Sequence, residues 1–214
     1  MSWTIAVAGA TGTVGQEILN VLAEREIEDL QVVALATRKS MGVEVSYGDS
    51  IIKCRDIAQH DFSKTVITIM AMDAASAKEW APKIATAGSV VIDTSSAFRM
   101  DPSVPLIVPE VNAHTLERFA RKNIVAVANG AVAQRLAALK PLHDEAKITR
   151  VVATTFQSVS GAGKDAMDEL FAQTRAIFVG DQVERAALPK QIAFNVIPQI
   201  GDIDAEGATA EETS

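Results

Sequence analysis

Three stretches of this sequence have residue types and spacing suited to chemistry. The first is Gly9-Ala10-Thr11-Gly12-Thr13-Val14-Gly15, which directly follows the apolar run Trp3 to Ala8. A glycine turn between a strand and a helix lets backbone amides and the helix N-terminus approach a pyrophosphate. The second is Arg38-Lys39-Ser40, after the next apolar run, Leu30 to Thr37. A carboxylate there would suit the ribose 2'-hydroxyl of NAD, whereas a cation suits a 2'-phosphate, so the residues point to NADP. The third is Val127-Ala128-Asn129-Gly130-Ala131-Val132, which reads as a strand, a sharp turn and a helix start. Such a turn presents an exposed nucleophile in many α/β enzymes, yet no Ser, Cys, Thr or Lys stands in it.

The remaining reactive side chains do not fill that gap. Cys54 is the single cysteine and falls in an early hairpin pattern, where it reads as a small buried residue. His60, His114 and His143 are scattered and read as surface or capping residues. No metal-ligand spacing occurs.

Elements that could position these stretches alternate along the chain. Val14, Ile18, Val21 and Leu22 recur at helical spacing after the glycine turn. Val66 to Met72 and Val90 to Asp93 read as buried strands, with a helix over Ala75 to Ala87 between them. Leu106 to Val108 and Ile124 to Ala128 flank a short helix over Thr115 to Arg121. This alternation predicts a Rossmann-like, doubly wound, mostly parallel sheet. Val43 to Tyr47 and Ile51 to Arg55, separated by Gly48-Asp49, predict a small hairpin excursion. Beyond Gly130 the pattern changes. Strands are expected over Arg150 to Ser160 and Gln191 to Ile200, with a helix from Lys164 to Ile177, an incomplete α+β domain. The expected division is 1–129 for an NADP-binding domain, 130–200 for a partial substrate or dimerisation domain, and 201–214 for an acidic flexible tail.

The 214 residues are long enough to bury a sizeable core. A formal charge of -7 argues against a nonspecific nucleic-acid binder. The opening MSWTIAVAGATG has no basic region and too short an apolar run for a signal peptide or a membrane span. One cysteine excludes an internal disulfide framework and fits a reducing cytoplasm.

Four segments in order, GATGTVG, SSAFRMDPSVPLIVPEVN, LKPLHDEAKITRVVATTFQSVSGAGKDAMDELFAQTRAIFVGD and KQIAFNVIPQI, resemble the aspartate-semialdehyde dehydrogenase family. The resemblance implies a two-domain fold and the NADPH-dependent reduction of β-aspartyl phosphate to aspartate semialdehyde, on the route to lysine, threonine and methionine. It implies a cysteine thiolate that captures the acyl group, a histidine that moves protons, and two arginines that hold carboxylate and phosphate. By this resemblance Gly9, Thr11, Gly12, Thr13 and Val14 form the cofactor phosphate loop, and Arg38 and Ser40 the 2'-phosphate site. Arg99 matches the phosphate-binding arginine and Gln157 the glutamine beside the nucleophile. Ser160, Gly161, Ala162 and Gly163 match a second cofactor-contacting loop.

Departures from the family pattern are concentrated at the nucleophile. The family writes Asn-Pro-Asn-Cys-Ser-Thr where this chain has Val-Ala-Asn-Gly-Ala-Val, so Asn129 is retained and Gly130 replaces the cysteine. The family's Ser-Ala-Gly-Gly-type loop reads Ala71-Met72-Asp73-Ala74, and the Asp73 carboxylate is expected to weaken NADP binding. The family also continues for a further hundred or more residues, with the second arginine and the catalytic histidine. Three functions follow as expectations. The first is a non-catalytic relative that retains NADP or partner binding. The second is a working NADP-dependent dehydrogenase, or an altered or shortened form of one. The third is a structural partner that forms a homodimer, or a heteromer with a full-length relative, through the second domain. No nucleic-acid, membrane or metal partner is expected.

Overall fold

The computed structural model describes residues 3–209. The chain divides into two compact units, Met1–Ala153 and Thr154–Ser214.

The first unit is built on a parallel sheet. Its strands are β1 (Trp3–Ala8), β2 (Leu30–Ala36), β5 (Arg55–Asp56), β6 (Ile67–Met70), β7 (Val90–Asp93), β8 (Leu106–Ile107) and β9 (Ile124–Val127). They lie in the order β5-β2-β1-β6-β7-β9-β8. Every pairing is parallel. The order reverses between β1 and β6, the topological switch point where doubly wound sheets open a crevice for ligands. The hairpin β3 (Glu44–Tyr47) and β4 (Ser50–Lys53) forms where one was expected, but Arg55, expected in its second strand, pairs with Leu35 of β2 in the main sheet. Gly48 takes a positive φ of 55° in its turn, a conformation that glycine adopts without strain.

Both faces of the sheet are covered, which is why its strands read as continuous apolar runs. Side chains alternate along β1. Ile5 and Val7 pack with Leu19 and Leu22 of α1 (Thr13–Glu24), with Val45 and with Cys54. Ala6 and Ala8 face Ala77, Ala81 and Ile84 of α2 (Ala74–Thr86), along with Met70, Val91 and Ile124. Small residues on this second face let α2 lie close to the strands. The short α3 (Pro109–Asn112) runs into a 3-10 helix at Ala113–Arg121, where a short helix was expected.

The helix α4 (Gly130–Glu145) follows β9 and belongs to the first unit. By packing, α4 groups with the first unit, whereas the expected division lies at Gly130. The second unit holds a 3-10 turn at Val159–Ala162 and α5 (Lys164–Val179). Gln173, almost fully buried on α5, donates to the Glu184 carbonyl and accepts from the amides of Ile192 and Ala193.

The strands expected over Arg150 to Ser160 and Gln191 to Ile200 are absent. Val151, Val152, Thr154, Thr155 and Phe156 have strong β-propensity, but a strand also needs a neighbour for its backbone groups. No ladder partner reaches either segment among the described residues. Of the expected flexible tail, residues 201–209 make a turn in which Asp204 accepts from the amides of Glu206 and Ala208, closed by an Ile203–Thr209 bridge. Residues 210–214 lie outside the described residues.

Candidate nucleotide site

Loops at the carboxyl ends of β1, β2 and β7, together with those after β6 and β9, gather the candidate residues of the first unit. Two of the glycines after β1 are required by contact. Gly9 has φ 85°, and a Cβ on it would overlap the Ala71 carbonyl, while a Cβ on Gly15 would overlap the Gly9 carbonyl oxygen. Close approach of the chain after β6 thus fixes Gly9 as glycine, and close approach of α1 to the loop fixes Gly15. The loop is then tied to the neighbouring strand, because Gly9 N and Ala10 N both donate to the Leu35 carbonyl, at 2.9 and 3.1 Å. Gly12 caps α1 without any side-chain bond, and the first turn carries no acidic residue. The positive end of the helix, with Thr13 and Val14 exposed on it, is open to an anion.

Arg38 and Ser40 form a 3-10 turn two residues beyond β2, the strand whose Leu35 carbonyl holds the glycine loop. The exposed Arg38 guanidinium therefore belongs to the same edge of the sheet as the loop. These residues fit a dinucleotide with a 2'-phosphate: open amides at a helix N-terminus, and a cation where a carboxylate would oppose the phosphate.

Asp73 has a different task from the one expected of it. Its carboxylate caps α2, accepting from Ala75 N and Ser76 N at 3.0 Å each and from Ser76 Oγ at 2.7 Å. Those bonds, led by the Ser76 amide, hold its carboxyl below the usual carboxylate range. Its negative charge is met in part by the α2 N-terminus.

The third loop carries Arg99. Its Nε donates to the Val127 carbonyl at 3.0 Å, and its Nη2 to the Thr94 carbonyl at 3.0 Å. One half-buried guanidinium thereby joins the ends of β7 and β9. Two residues beyond Val127, Asn129 accepts from Ala131 N at 2.8 Å and caps α4. Gly130 is the first residue of α4, exposed, and a Cβ there would meet nothing within 4 Å. The first position of α4 thus carries no side chain.

No other side chain takes its place. Cys54 is buried at 2% exposure, and burial pushes its thiol up. It precedes β5 at one edge of the sheet, whereas Gly130 follows β9 near the other. Five strand spacings of about 4.8 Å put roughly 24 Å between those strands. His60 is held by Thr65 Oγ1 at 2.8 Å and stacks edge-on against Phe62. His143 accepts from the Ile148 amide.

The candidates of the second unit are exposed or half-buried. The side-chain oxygen of Gln157 accepts from Thr155 Oγ1 at 3.1 Å. Ser160 and Gly161 lie in the 3-10 turn, and Gly163 opens α5 with φ 90°. Sequence reasoning passed over Asp93, which is buried and accepts from Ser95. A strand ending in Asp followed by Thr94-Ser95-Ser96 was the available signal, as these residues bond to local backbone. Among the described residues, no helix is long and apolar enough to cross a membrane, and no three metal-ligating side chains cluster.

Residues 4–119 match the semialdehyde dehydrogenase NAD-binding domain, and residues 139–214 the semialdehyde dehydrogenase dimerisation domain. An aspartate-semialdehyde dehydrogenase of Rickettsia conorii is 48% identical over 210 residues, which cover 98% of this chain and 62% of that protein. The chain belongs to the aspartate-semialdehyde dehydrogenase family. The aspartate-semialdehyde dehydrogenase of Aquifex aeolicus is 41% identical, with 99% of this chain and 63% of the relative covered. The crystal structure of aspartate-semialdehyde dehydrogenase II of Vibrio cholerae, complexed with ASA, superposes with a TM-score of 0.95 at 40% identity. That match covers 100% of this chain and 63% of the solved one. The chain thus spans less than two thirds of the length of these family members, and its first unit carries the family's nucleotide-binding domain.

Proposed function

We propose that this chain is an NADP-binding member of the aspartate-semialdehyde dehydrogenase family that does not perform the covalent step. The observation that carries the reading is Gly130 at the first position of α4. Covalent capture of an acyl group needs a nucleophile, and loss of one removes many powers of ten in rate. The supporting geometry is the open α1 N-terminus with Gly9, Thr11, Gly12, Thr13 and Val14, and the exposed Arg38 with Ser40. Ser160, Gly161 and Gly163 belong to the same reading as a second cofactor loop. Bound nicotinamide would supply or accept hydride. Arg99 would orient the substrate phosphate with the N–H donors it does not spend on Thr94 and Val127, and Gln157 would stand beside the acyl group. A reducing, cytoplasmic setting agrees with the free thiol of Cys54.

Calorimetry with NADP and NAD tests the binding part. NADP should bind more tightly, and Arg38→Ala should erase the difference. An assay for phosphate-dependent oxidation of aspartate semialdehyde tests the other part, and a rate near that of ordinary family members would sink it. Identity of 40–48% to named dehydrogenases favours a second reading, a working enzyme, and that rate is what distinguishes the two.

The match of residues 139–214 to a dimerisation domain supports a partner role as well. Phe171, Phe178 and Phe194 are each more than 70% exposed, and apolar surface of that kind is costly in a free monomer. A homodimer is the simplest assembly, and a heteromer with a full-length relative uses the same surface. Light scattering at micromolar concentration, alone and with such a relative, separates these, and a lone monomer in both would count against either.

A further inference from the structure

The loop between β7 and the arginine is organised by one buried carboxylate. Asp93 is fully buried, and burial pushes its carboxyl up against the opposing influence of Ser95 hydrogen bonds and the nearby Arg99 charge. Such a group is tolerated in a core when hydrogen bonds replace its lost hydration. Oδ1 accepts from Ser95 N at 3.1 Å, and Oδ2 accepts from Ser95 Oγ at 2.9 Å. Ser95 Oγ accepts in turn from Ala97 N at 3.0 Å. Meanwhile Thr94 is fixed to β6, its amide and its hydroxyl both donating to the Met70 carbonyl. The turn built by these bonds presents the Thr94 carbonyl to Arg99 Nη2, while Nε reaches Val127. An arginine side chain has five N–H donors in a rigid fork, so fixing two of them sets the direction of the other three.

We propose that Asp93 is a positioning residue for Arg99: its buried carboxylate builds the 94–97 turn, and that turn orients the guanidinium across β7 and β9 toward an oxyanion. The positioning stands on the hydrogen-bond geometry alone, while its effect on an anion rests on the reading of Arg99 as a phosphate-binding group. The charge and the bonds of Asp93 act in opposite senses on that anion. The negative charge opposes binding, whereas the bonds favour it by ordering the arginine in advance.

Substitution separates the two senses. Asp93→Asn retains an oxygen that accepts from Ser95 N and loses the charge, whereas Asp93→Ala loses both. Arginine labelled with nitrogen-15 gives a direct readout in the whole chain, the Arg99 Nε–H resonance being assigned by its disappearance in Arg99→Lys. Hydrogen exchange at Nε–H should quicken at least about tenfold in Asp93→Ala and stay near wild type in Asp93→Asn. Inorganic phosphate should bind about tenfold more weakly to Asp93→Ala, and as tightly or more tightly to Asp93→Asn. Ser95→Ala breaks the same relay from a half-buried side chain and should reproduce the Asp93→Ala exchange rate, even where Asp93→Ala fails to fold. Equal Nε–H protection in wild type and Ser95→Ala, or identical behaviour of the Asn and Ala variants, would overturn the proposal. Phosphate affinity that is unchanged in Arg99→Lys would instead overturn the phosphate reading, with the exchange data still deciding the positioning.

Discussion

Placing a thiol at the first position of α4, by Gly130→Cys, tests whether the first turn of that helix remains competent to activate a nucleophile. The substitution has room, since a Cβ at this position meets nothing within 4 Å, and the backbone is not in the left-handed region. Replacing glycine in a helix is also slightly favourable, by a few tenths of a kcal/mol. The new sulfur would lie at the positive end of a 16-residue helix. That end favours a negative charge by about 0.3–1 kcal/mol, which at 1.36 kcal/mol per unit lowers a thiol pKa by about 0.2–0.7. Arg99, anchored three residues earlier at the Val127 carbonyl, adds a screened attraction of similar size. Together they should bring the thiol from about 8.5 to about 7.5. At pH 7 the thiolate fraction then rises roughly eightfold, and lower intrinsic nucleophilicity reduces the net gain in rate to about threefold. Iodoacetamide labelling across pH 6–10 measures the midpoint. Wild type supplies the background, because its single thiol, Cys54, is buried. A midpoint at or above about 8.5 would show that neither the helix end nor Arg99 acts on this position. Dehydrogenase turnover should remain absent in the labelled-competent variant, since His60 and His143 are held elsewhere by Thr65 and the Ile148 amide.

Gly15→Ala forces a Cβ against the Gly9 carbonyl oxygen and the Ala10 backbone, which should cost about 1–3 kcal/mol. Thermal melting should fall by about 3–10 °C, with loss of NADP binding in calorimetry, and an unchanged melt would refute the contact argument. Asp73→Ala removes the α2 cap and should cost about 1 kcal/mol in urea unfolding, whereas Asp73→Asn, which also caps, should cost much less. His60 titrates below its ordinary value because burial, and then the Arg55 charge, disfavour its protonated form. A depressed pKa means that its contribution to stability is complete above about 6.5 and is lost as pH falls through the folded value. Melting temperature should therefore decline from pH 7.5 toward pH 5, and His60→Gln should flatten that decline.

The first unit was legible because its signals are local. The alternation of short apolar runs with helical spacing from Trp3 to Val127 names the strands and helices, and Gly48-Asp49 marks the hairpin. The glycine loop was legible for the same reason, since Gly9 and Gly15 answer to atoms only a few residues or one strand away. Residues 150–160 and 191–200 misled because β-propensity states a preference, while a strand requires a partner that sequence pattern does not supply. Asp73 has a structural task that the resemblance did not name. The resemblance placed it by the cofactor, yet an aspartate directly ahead of Ala74-Ala75-Ser76-Ala77 is also a helix-cap signal, and that role is the one its bonds show. The link from Arg99 to Val127 crosses between elements far apart in sequence, so no local pattern carries it.

The wholly parallel sheet also governs how the first unit assembles in time. No two neighbours in that sheet are joined by a tight turn, so none of its ladders can form by simple zipping. The first route available from the N-terminus is Trp3 meeting Leu30, which encloses α1, while Ile5 meets Ile67 only across a loop about twice as long. Each doubling of loop length adds about 0.6 kcal/mol of closure entropy, a small penalty beside the gain from burying a central strand. The β1-α1-β2 crossover is thus the first unit a growing chain can close, and β6, β7 and β9 add outward from β1 in the order in which they leave the ribosome. A chain emerging from its N-terminus can build the nucleotide-binding edge first, before the segment bearing Gly130 has been made.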